Sequence, residues 1–401
     1  MIKKIAIADL KPGMEVVQLS SEMWQHLPYL YADPGIIESE EEVTRLQELG
    51  YRQVFVAMKN DSDLSDEERL DLLITGCADV QRPKPRRPFD EAIRSAAITY
   101  EDAMGLAMRL VSDAKLGKKV DFTTAMETAS SIVESALSNP DTLVCLTKLS
   151  NFDDYTYTHC INVAAIAVVF GDYIGMSREE LTLLGVAGMM HDLGKTAVPA
   201  RIVTKPGRLT KPECEEMKRH PGYGRTILQR NSDIPPRVLE AVRAHHEKYN
   251  GSGYPDGLTR KEIPAFARIL CLADIYDALT SNRYYKDAIP PNKALGIMYG
   301  MRDQDFDPTE IQLFIKCLGI YPSGSFVRLN TGEYALVFET DAFKPLYPKI
   351  RIVMNKSMKP IDAKDVDLKD QTSDNGETIE IVECADPSAY RRELMTYLTG
   401  N

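Results

Sequence analysis

Helical periodicity from Phe89 to about Ile320 is the feature that most constrains how this chain can fold. Apolar residues recur every three or four positions in segments such as "FDEAIRSAAITYEDAMGLAMRLVSDA" and "AFARILCLADIYDALTS". Prolines and glycines separate one segment from the next. Such spacing is typical of helices that bury one face. We therefore predict an all-helical domain over residues 89–321.

Different patterns flank this region. Residues 1–80 read as short strands and one helix, in which Ser39 and Glu42 have the spacing of a capping box, so we predict a small α+β unit. The prolines of residues 81–88, "QRPKPRRP", predict a linker. Alternating apolar residues predict a hairpin-rich β extension over residues 322–401. The predicted fold class is thus mainly α.

Composition limits the location and the partners. The longest near-continuous apolar stretch, "INVAAIAVVF", is shorter than the roughly 18 residues of a membrane span, so we expect no membrane span and a cytoplasmic protein. Seven cysteines without a C-x-x-C pair argue against a disulfide framework and a thiolate zinc site. A net charge of -11 argues against binding of a nucleic acid polymer.

Five of the six histidines lie in the helical region, beside apolar residues that would face a core. They are His159, His191, His220, His245 and His246. Each alone is more simply interpreted as a packed or hydrogen-bonded histidine. However, Asp192 adjoins His191, and Asp274 lies in "RILCLADIYDAL", where an ionised carboxylate is costly unless it is paired or bound to metal.

Together these groups predict a metal site. Imidazoles and carboxylates without thiolates suit iron, manganese, zinc or nickel. The set exceeds what one tetrahedral ion needs, and Asp192 could bridge two ions. Two adjacent ions can activate a hydroxide and stabilise the attacking and leaving oxygens of a displacement at phosphorus. The pattern therefore predicts phosphoester hydrolysis.

Other residues around this set suit a phosphate ligand. Lys195 follows His191 closely and could meet a phosphate oxygen, although an exposed helix-end lysine is the alternative. The loop "NGSGYPDGL" could hold Tyr254 at the rim or be a surface turn. In "SNRYYK", Arg283 and Lys286 could clamp phosphates or form a solvated basic helix end.

The motifs "HDLGK", "HHEKYNGSGYP" and "DIYDALTSNRYYK", in this order, resemble the HD-GYP family. This branch of the HD metal-dependent phosphohydrolases degrades the bacterial second messenger cyclic di-GMP. The resemblance covers roughly residues 89–340, and the first 80 residues resemble a small domain often found upstream. It implies hydrolysis to linear pGpG, which can continue to GMP. It also implies two divalent metal ions, Fe or Mn first, with Zn, Ni and Mg as the other candidates.

The resemblance also implies a role for each matching residue. The metal ligands would be His159, His191, Asp192, His220, His245, His246 and Asp274, with Asp192 bridging. The catalytic residues would be Asp192 and Lys195. The substrate contacts would be Lys195, Gly253, Tyr254, Asp277, Arg283 and Lys286.

Three positions depart from the family pattern. Tyr155 stands where some members carry a glutamate and hold a third ion, so we expect two ions. Asn250 and Tyr284 stand where aspartate and proline are usual. None of the three is an expected ligand.

Two alternative functions remain at this stage. The chain could be a cyclic di-GMP sensor or a docking module for GGDEF-domain proteins with little turnover, although the complete ligand set favours an enzyme. A second alternative keeps the chemistry but has cyclic GMP-AMP as the substrate. A homodimer is compatible with either activity.

Overall fold

A computed structural model describes residues 2–11, 15–20, 35–36, 43–44, 53–57, 85–150, 155–282, 288–341, 344–369 and 378–400. The chain divides into two compact units. The first comprises Met1–Arg82 with Tyr173–Met176, and the second comprises Pro83–Asp172 with Ser177–Asn401. The domain boundaries stated above stay predictions.

An antiparallel sheet forms the described part of the first unit. Its strands are β1 (Ile2–Ala6), β2 (Glu15–Ser20), β3 (Gly35–Ile36) and β4 (Gln53–Ala57), in the spatial order β1-β4-β2-β3. Ile2 pairs with Ala57 at one end of the β1–β4 ladder. Ser39 and Glu42, the predicted capping pair, lie outside the described residues.

Helices dominate the second unit. They are α1 (Phe89–Lys115), α2 (Phe122–Ser138), α3 (Pro140–Leu149), α4 (Tyr155–Tyr173), α5 (Arg178–Met190), α6 (Ala200–Val203), α7 (Lys211–Met217), α8 (His220–Leu228), α9 (Pro236–Ala244), α10 (Ala265–Thr280), α11 (Pro291–Gly300), α12 (Pro308–Leu318) and α13 (Arg391–Thr399). Short 3₁₀ turns lie at Leu193–Ala197 and Arg260–Glu262. The predicted mainly helical fold class is confirmed.

Local sequence signals explain where several of these helices begin. A reciprocal capping box between Ser177 and Glu180 starts α5. Asn139 caps α3 and Asp307 caps α12, each directly before a proline, which suits the first helical turn. These caps fix the ends of the helices that surround the core.

Two helices, α4 and α10, are buried on nearly all sides. The run Ile161–Phe170 of α4 is buried throughout, and so are most residues of α10. An all-round apolar helix belongs in the centre of a bundle. Polar side chains on these two helices therefore lie in the core, where they need partners.

A five-stranded antiparallel sheet follows the helices. Its strands are β5 (Phe326–Leu329), β6 (Tyr334–Glu339), β7 (Lys349–Met354), β8 (Pro360–Asp367) and β9 (Ile381–Cys384), in the spatial order β8-β7-β6-β5-β9. Arg351 on β7 joins this sheet to the helices, since its guanidinium pairs with Asp365 and Asp90 and donates to the Tyr397 carbonyl. Within the described residues, no helix has the length and apolar character to cross a bilayer.

Candidate metal centre

Five histidines and two aspartates from separate helices converge in the second unit. His159 lies on α4 and Asp274 on α10, whereas the others lie at helix ends: His191 and Asp192 follow α5, His220 begins α8, and His245 and His246 follow α9. The centroids of neighbouring imidazole rings are 4.1 Å to 5.3 Å apart. Four of the five histidines are buried, and His246 is largely so.

Potential ligand atoms fall into three overlapping groups, and within each group they lie within 4.8 Å of one another. The groups are Asp192 with His220, His245 and His246; His159 with His191 and Asp192; and His191 with His245 and Asp274. Asp192 belongs to two of them, so the expected ligand residues are brought together around this carboxylate.

A glycine allows the helix ends to approach this closely. A Cβ at Gly194 would lie 1.8 Å from the His220 carbonyl oxygen and 2.4 Å from the Gly224 nitrogen. Only glycine lets the turn after α5 pack against the start of α8 at this distance. This contact sets Asp192 beside His220.

Hydrogen bonds at Nδ1 orient three of the rings. His191, His220 and His245 each have Nδ1 at 2.7 Å from a backbone carbonyl oxygen three residues earlier, on Gly188, Met217 and Val242. A carbonyl only accepts, so each Nδ1 carries a proton and donates it. In the neutral tautomer each Nε2 then presents a lone pair to the centre, as a metal ligand must.

The Asp192 carboxylate directs one oxygen toward each group of imidazoles. Its Oδ1 lies 3.3 Å from His220 Nε2 and 4.0 Å from His245 Nε2. Its Oδ2 lies 3.5 Å from His191 Nε2 and 3.8 Å from His159 Nε2. This arrangement suits a carboxylate that bridges two cations.

Two buried atoms at the centre have no hydrogen-bond partner among the described residues: His191 Nε2 and Asp192 Oδ1. His220 Nε2 faces Asp192 Oδ1 but cannot donate to it as a neutral ring, because its proton is on Nδ1. It also lies 3.3 Å from His245 Nε2, and two neutral rings with protons on Nδ1 would present lone pairs to each other there. Acceptors that converge without donors are costly unless a cation lies between them. The residues therefore fit a metal site.

Burial and charge set the protonation of this centre. Burial lowers the pKa of His191, His245 and His246, the last to about 3, so these imidazoles are neutral near pH 7. Burial also acts to lower the pKa of His159, but hydrogen bonds to Asp274 and Asp277 outweigh it and raise the pKa to about 9. Three rings are thus ready to ligate, whereas His159 must first lose a proton.

Asp277, an expected substrate contact, is held in the core beside His159. It is fully buried, and its Oδ2 accepts from His159 Nδ1 at 2.7 Å. Its Oδ1 accepts from Asn162 Nδ2 at 2.8 Å and from the Ser281 hydroxyl at 3.0 Å. A carboxylate with no exposed surface and these partners faces the His159 imidazole, and its expected contact with substrate stays a prediction.

Lys195 and Tyr254 lie beside the centre. Lys195 Nζ is 2.5 Å from Asp192 Oδ2, and its side chain is 31% exposed. The ring centroids of Tyr254 and His246 are 4.8 Å apart, and the Tyr254 backbone N–H donates to the His246 carbonyl. Both side chains can therefore reach a ligand bound over the imidazoles.

The remaining expected substrate contacts are less direct. A Cβ at Gly253 would lie 2.4 Å to 2.6 Å from backbone atoms of Lys248, Glu247 and His246, so this glycine allows its loop to pack against the histidine pair. Arg283 and Lys286 lie outside the described residues.

Glu247 holds a loop beside the cluster, although no role was predicted for it from the sequence. Its buried carboxylate accepts from the backbone N–H groups of Asp256, Gly257 and Leu258 at 2.7 Å to 3.1 Å. Arg243 adds a bidentate ion pair to the Asp256 carboxylate. An acidic residue directly after the histidine pair is the sequence feature that could have indicated this role. The Glu247 carboxylate fixes the loop that carries Tyr254.

Comparisons with protein families give a consistent result. A model described as "HD domain" matches residues 129–309. A domain of unknown function matches residues 2–125, and a "KOW domain associated with HD domain" matches residues 326–392. These matches cover the helical region and the parts on either side of it.

Curated relatives match this chain, one over nearly its whole length and others over part of it. A cyclic di-GMP phosphodiesterase of Pseudomonas aeruginosa is 32% identical over 92% of this chain and 89% of its own length. The cyclic di-GMP phosphodiesterase response regulator RpfG of Xanthomonas campestris is 42% identical over 38% of this chain and 40% of its own. A 3'3'-cGAMP-specific phosphodiesterase of Vibrio cholerae is 33% identical over 40% of this chain and 31% of its own. The near full-length similarity to the first relative, together with the HD-domain match, shows that this chain belongs to the HD-GYP family of cyclic di-GMP phosphodiesterases.

Proposed function

We propose that this chain hydrolyses cyclic di-GMP to linear pGpG with two divalent metal ions. The observation that carries the proposal is the Asp192 carboxylate, which directs one oxygen toward each of two groups of imidazole Nε2 atoms. The relatives named as cyclic di-GMP phosphodiesterases support the substrate.

Each ion would have its own set of ligands. His220, His245 and His246 would hold one ion, and His159 and His191 the other, with Asp192 shared. Asp274 would join the second set, because its Oδ1 lies 3.0 Å from His159 Nε2. Imidazole and carboxylate ligands suit Fe, Mn, Zn or Ni. The family resemblance puts Fe or Mn first, and Zn, Ni and Mg remain candidates.

The reaction breaks one phosphodiester bond of the ring. When bound, two such ions would supply Lewis-acid activation of the attacking water and of the phosphoryl group. Water adds to phosphorus, the P–O3′ bond breaks, and O3′ takes a proton, which leaves a linear dinucleotide with a 5′-phosphate. The Lys195 ammonium would offset the negative charge that develops on the phosphoryl oxygens.

Side chains beside the centre would hold the nucleotide. Tyr254 can stack on a guanine or donate its hydroxyl to a phosphate, and Glu247 fixes the loop on which it lies. Arg283 and Lys286 remain predicted phosphate or purine contacts. Gly253 contributes through the packing of the loop.

The direct test is turnover by the metal-loaded protein. Protein purified without oxygen and loaded with Fe or Mn should convert cyclic di-GMP to pGpG, resolved by chromatography, while Asp192→Ala should not. Asp233→Ala, which changes an exposed carboxylate, is the matched control and should keep full turnover. Tight binding without linear product would contradict hydrolysis and favour the sensor alternative.

The same assay addresses the other substrate. Cyclic GMP-AMP should be cleaved more slowly than cyclic di-GMP, and the reverse order would contradict the proposed substrate. A time course would show whether pGpG continues to GMP. Docking of GGDEF-domain proteins, a homodimer and a cytoplasmic location stay predictions.

A further inference from the structure

His159 differs from three neighbouring histidines in the hydrogen-bond partner of its Nδ1 atom. The Nδ1 atoms of His191, His220 and His245 donate to backbone carbonyls of their own helices. His159 Nδ1 donates to a side chain on another helix, the Asp277 carboxylate on α10. The direction of the His159 ring therefore depends on where Asp277 is held.

Asn162 is the residue that holds Asp277 from α4. Its Nδ2 donates to Asp277 Oδ1 at 2.8 Å, opposite the oxygen that accepts from His159. Asn162 lies one helical turn after His159, so both contact the same carboxylate from one helix face. Ser281 adds a third donor from the end of α10. The carboxylate is thus fixed in rotation as well as in position.

Tyr100 on α1 fixes Asn162 in turn. The Tyr100 hydroxyl donates to Asn162 Oδ1 at 2.6 Å, and both residues are buried. An amide whose oxygen accepts from Tyr100 must present its NH₂ group to Asp277, so the hydroxyl sets which way the Asn162 amide points. The hydrogen bonds run from α1 through α4 to α10 and return to His159.

A buried lysine lies near this network. Lys148 is buried and its Nζ donates to the Thr280 hydroxyl at 2.5 Å. Asp277 itself accepts from three donors, His159 Nδ1, Asn162 Nδ2 and the Ser281 hydroxyl, as a carboxylate does. A carboxylate that accepts from a histidine makes the opposite ring nitrogen a stronger metal ligand.

We propose that Asn162 and Tyr100 are positioning residues of the metal centre, which set Asp277 so that His159 Nε2 points at the metal. This inference rests on the proposed metal site. Neither residue needs to touch metal or substrate. Both act by fixing the rotation of one carboxylate, and through it the direction and basicity of one ligand.

The test is metal affinity, measured by competition with a chelator and by metal content after gel filtration. Asn162→Leu keeps the side-chain size and removes the hydrogen bonds with Asp277 and Tyr100, together with a longer one of 3.4 Å to the Thr147 carbonyl. Metal affinity should therefore fall about 10-fold to 100-fold, the effect typical of a lost outer-shell partner. Tyr100→Phe removes one hydroxyl and should cause a smaller loss in the same direction. Excess metal should restore kcat in both variants, with the KM for cyclic di-GMP unchanged.

Asn231→Leu is the matched control. Asn231 is also buried, and its Nδ2 donates to the Val120 carbonyl at 2.8 Å. This variant should lower the unfolding temperature of the metal-free protein without a change in metal affinity. If Asn162→Leu behaves in the same way, its role is only structural and the inference is overturned.

The metal measurement also separates this inference from the proposed function. If the wild type binds metal but releases no pGpG, the proposed hydrolysis fails while the comparison of metal affinities still decides the role of Asn162. If the wild type hydrolyses cyclic di-GMP and both variants bind metal as tightly as it does, the positioning role fails alone.

Discussion

Lys195 Nζ lies 2.5 Å from Asp192 Oδ2, so a partly exposed ammonium directly contacts the carboxylate at the middle of the histidine cluster. Burial would lower the pKa of Lys195, but the charges of Asp192 and Asp274 raise it overall, and the side chain is cationic at any ordinary assay pH. One cation can thus serve both the carboxylate and an incoming phosphate.

Lys195→Met should therefore lower kcat/KM for the substrate without a loss of bound metal. The variant keeps the aliphatic chain and loses the charge, so we expect near-normal metal content with kcat/KM reduced by about 10-fold to 100-fold, because a charge-assisted contact to phosphate is worth roughly 1.5–3 kcal/mol. Steady-state kinetics and metal analysis on the same preparation measure both. Loss of metal in this variant would contradict the role at the phosphate.

Asp192→Ala should remove metal and turnover together. The carboxylate directs an oxygen toward both groups of imidazoles, so its loss weakens both ion sites. We expect substoichiometric metal and a fall in kcat of at least about 100-fold. Thermal unfolding of the metal-free proteins provides the control, since the variant should still fold. Full metal content in folded Asp192→Ala would show that the bridge is absent.

Most of the cluster of histidines and aspartates was predictable, because its members are residue types that can bind metal. Histidines and aspartates at helix ends, among apolar residues, give few good solutions other than a shared ion. The contacts that bring these helix ends together were not predictable. Gly194 reveals its close contact with His220 only when the two helix ends are seen together.

The partners of Asp277 could not be predicted from the sequence. Asp274 and Asp277 are one helical turn apart on α10, and the family resemblance implies a metal ligand at the first and a substrate contact at the second. Which partner each carboxylate meets depends on the helix packed beside it, and α4 presents Asn162 and His159 to Asp277. Tertiary contacts between helices distant in sequence therefore determine the partners of Asp277.

Metal binding should depend on pH through His159. Its pKa is raised to about 9 by Asp274 and Asp277 against the effect of burial, so the metal-free protein carries a proton there at pH 7.5. Metal binding must displace this proton, and apparent affinity should rise up to about tenfold per pH unit until pH approaches 9. Calorimetry in buffers of different ionisation enthalpy should detect about one proton released. No proton release at pH 7.5 would contradict this assignment.

Glu247→Gln should loosen the loop that carries Tyr254. The Glu247 carboxylate accepts from three backbone N–H groups, and the substitution replaces one of its oxygens with an NH₂ group that cannot accept. We expect the free energy of unfolding to fall by about 1–3 kcal/mol. We expect faster amide hydrogen exchange at Asp256–Leu258 and a higher KM for cyclic di-GMP. Metal content should stay normal, since Glu247 is outside the predicted ligand set. Glu262→Gln, which alters an exposed capping carboxylate, should change neither exchange at this loop nor KM. Unchanged exchange in Glu247→Gln would mean that Arg243 and Asp256 hold the loop without it.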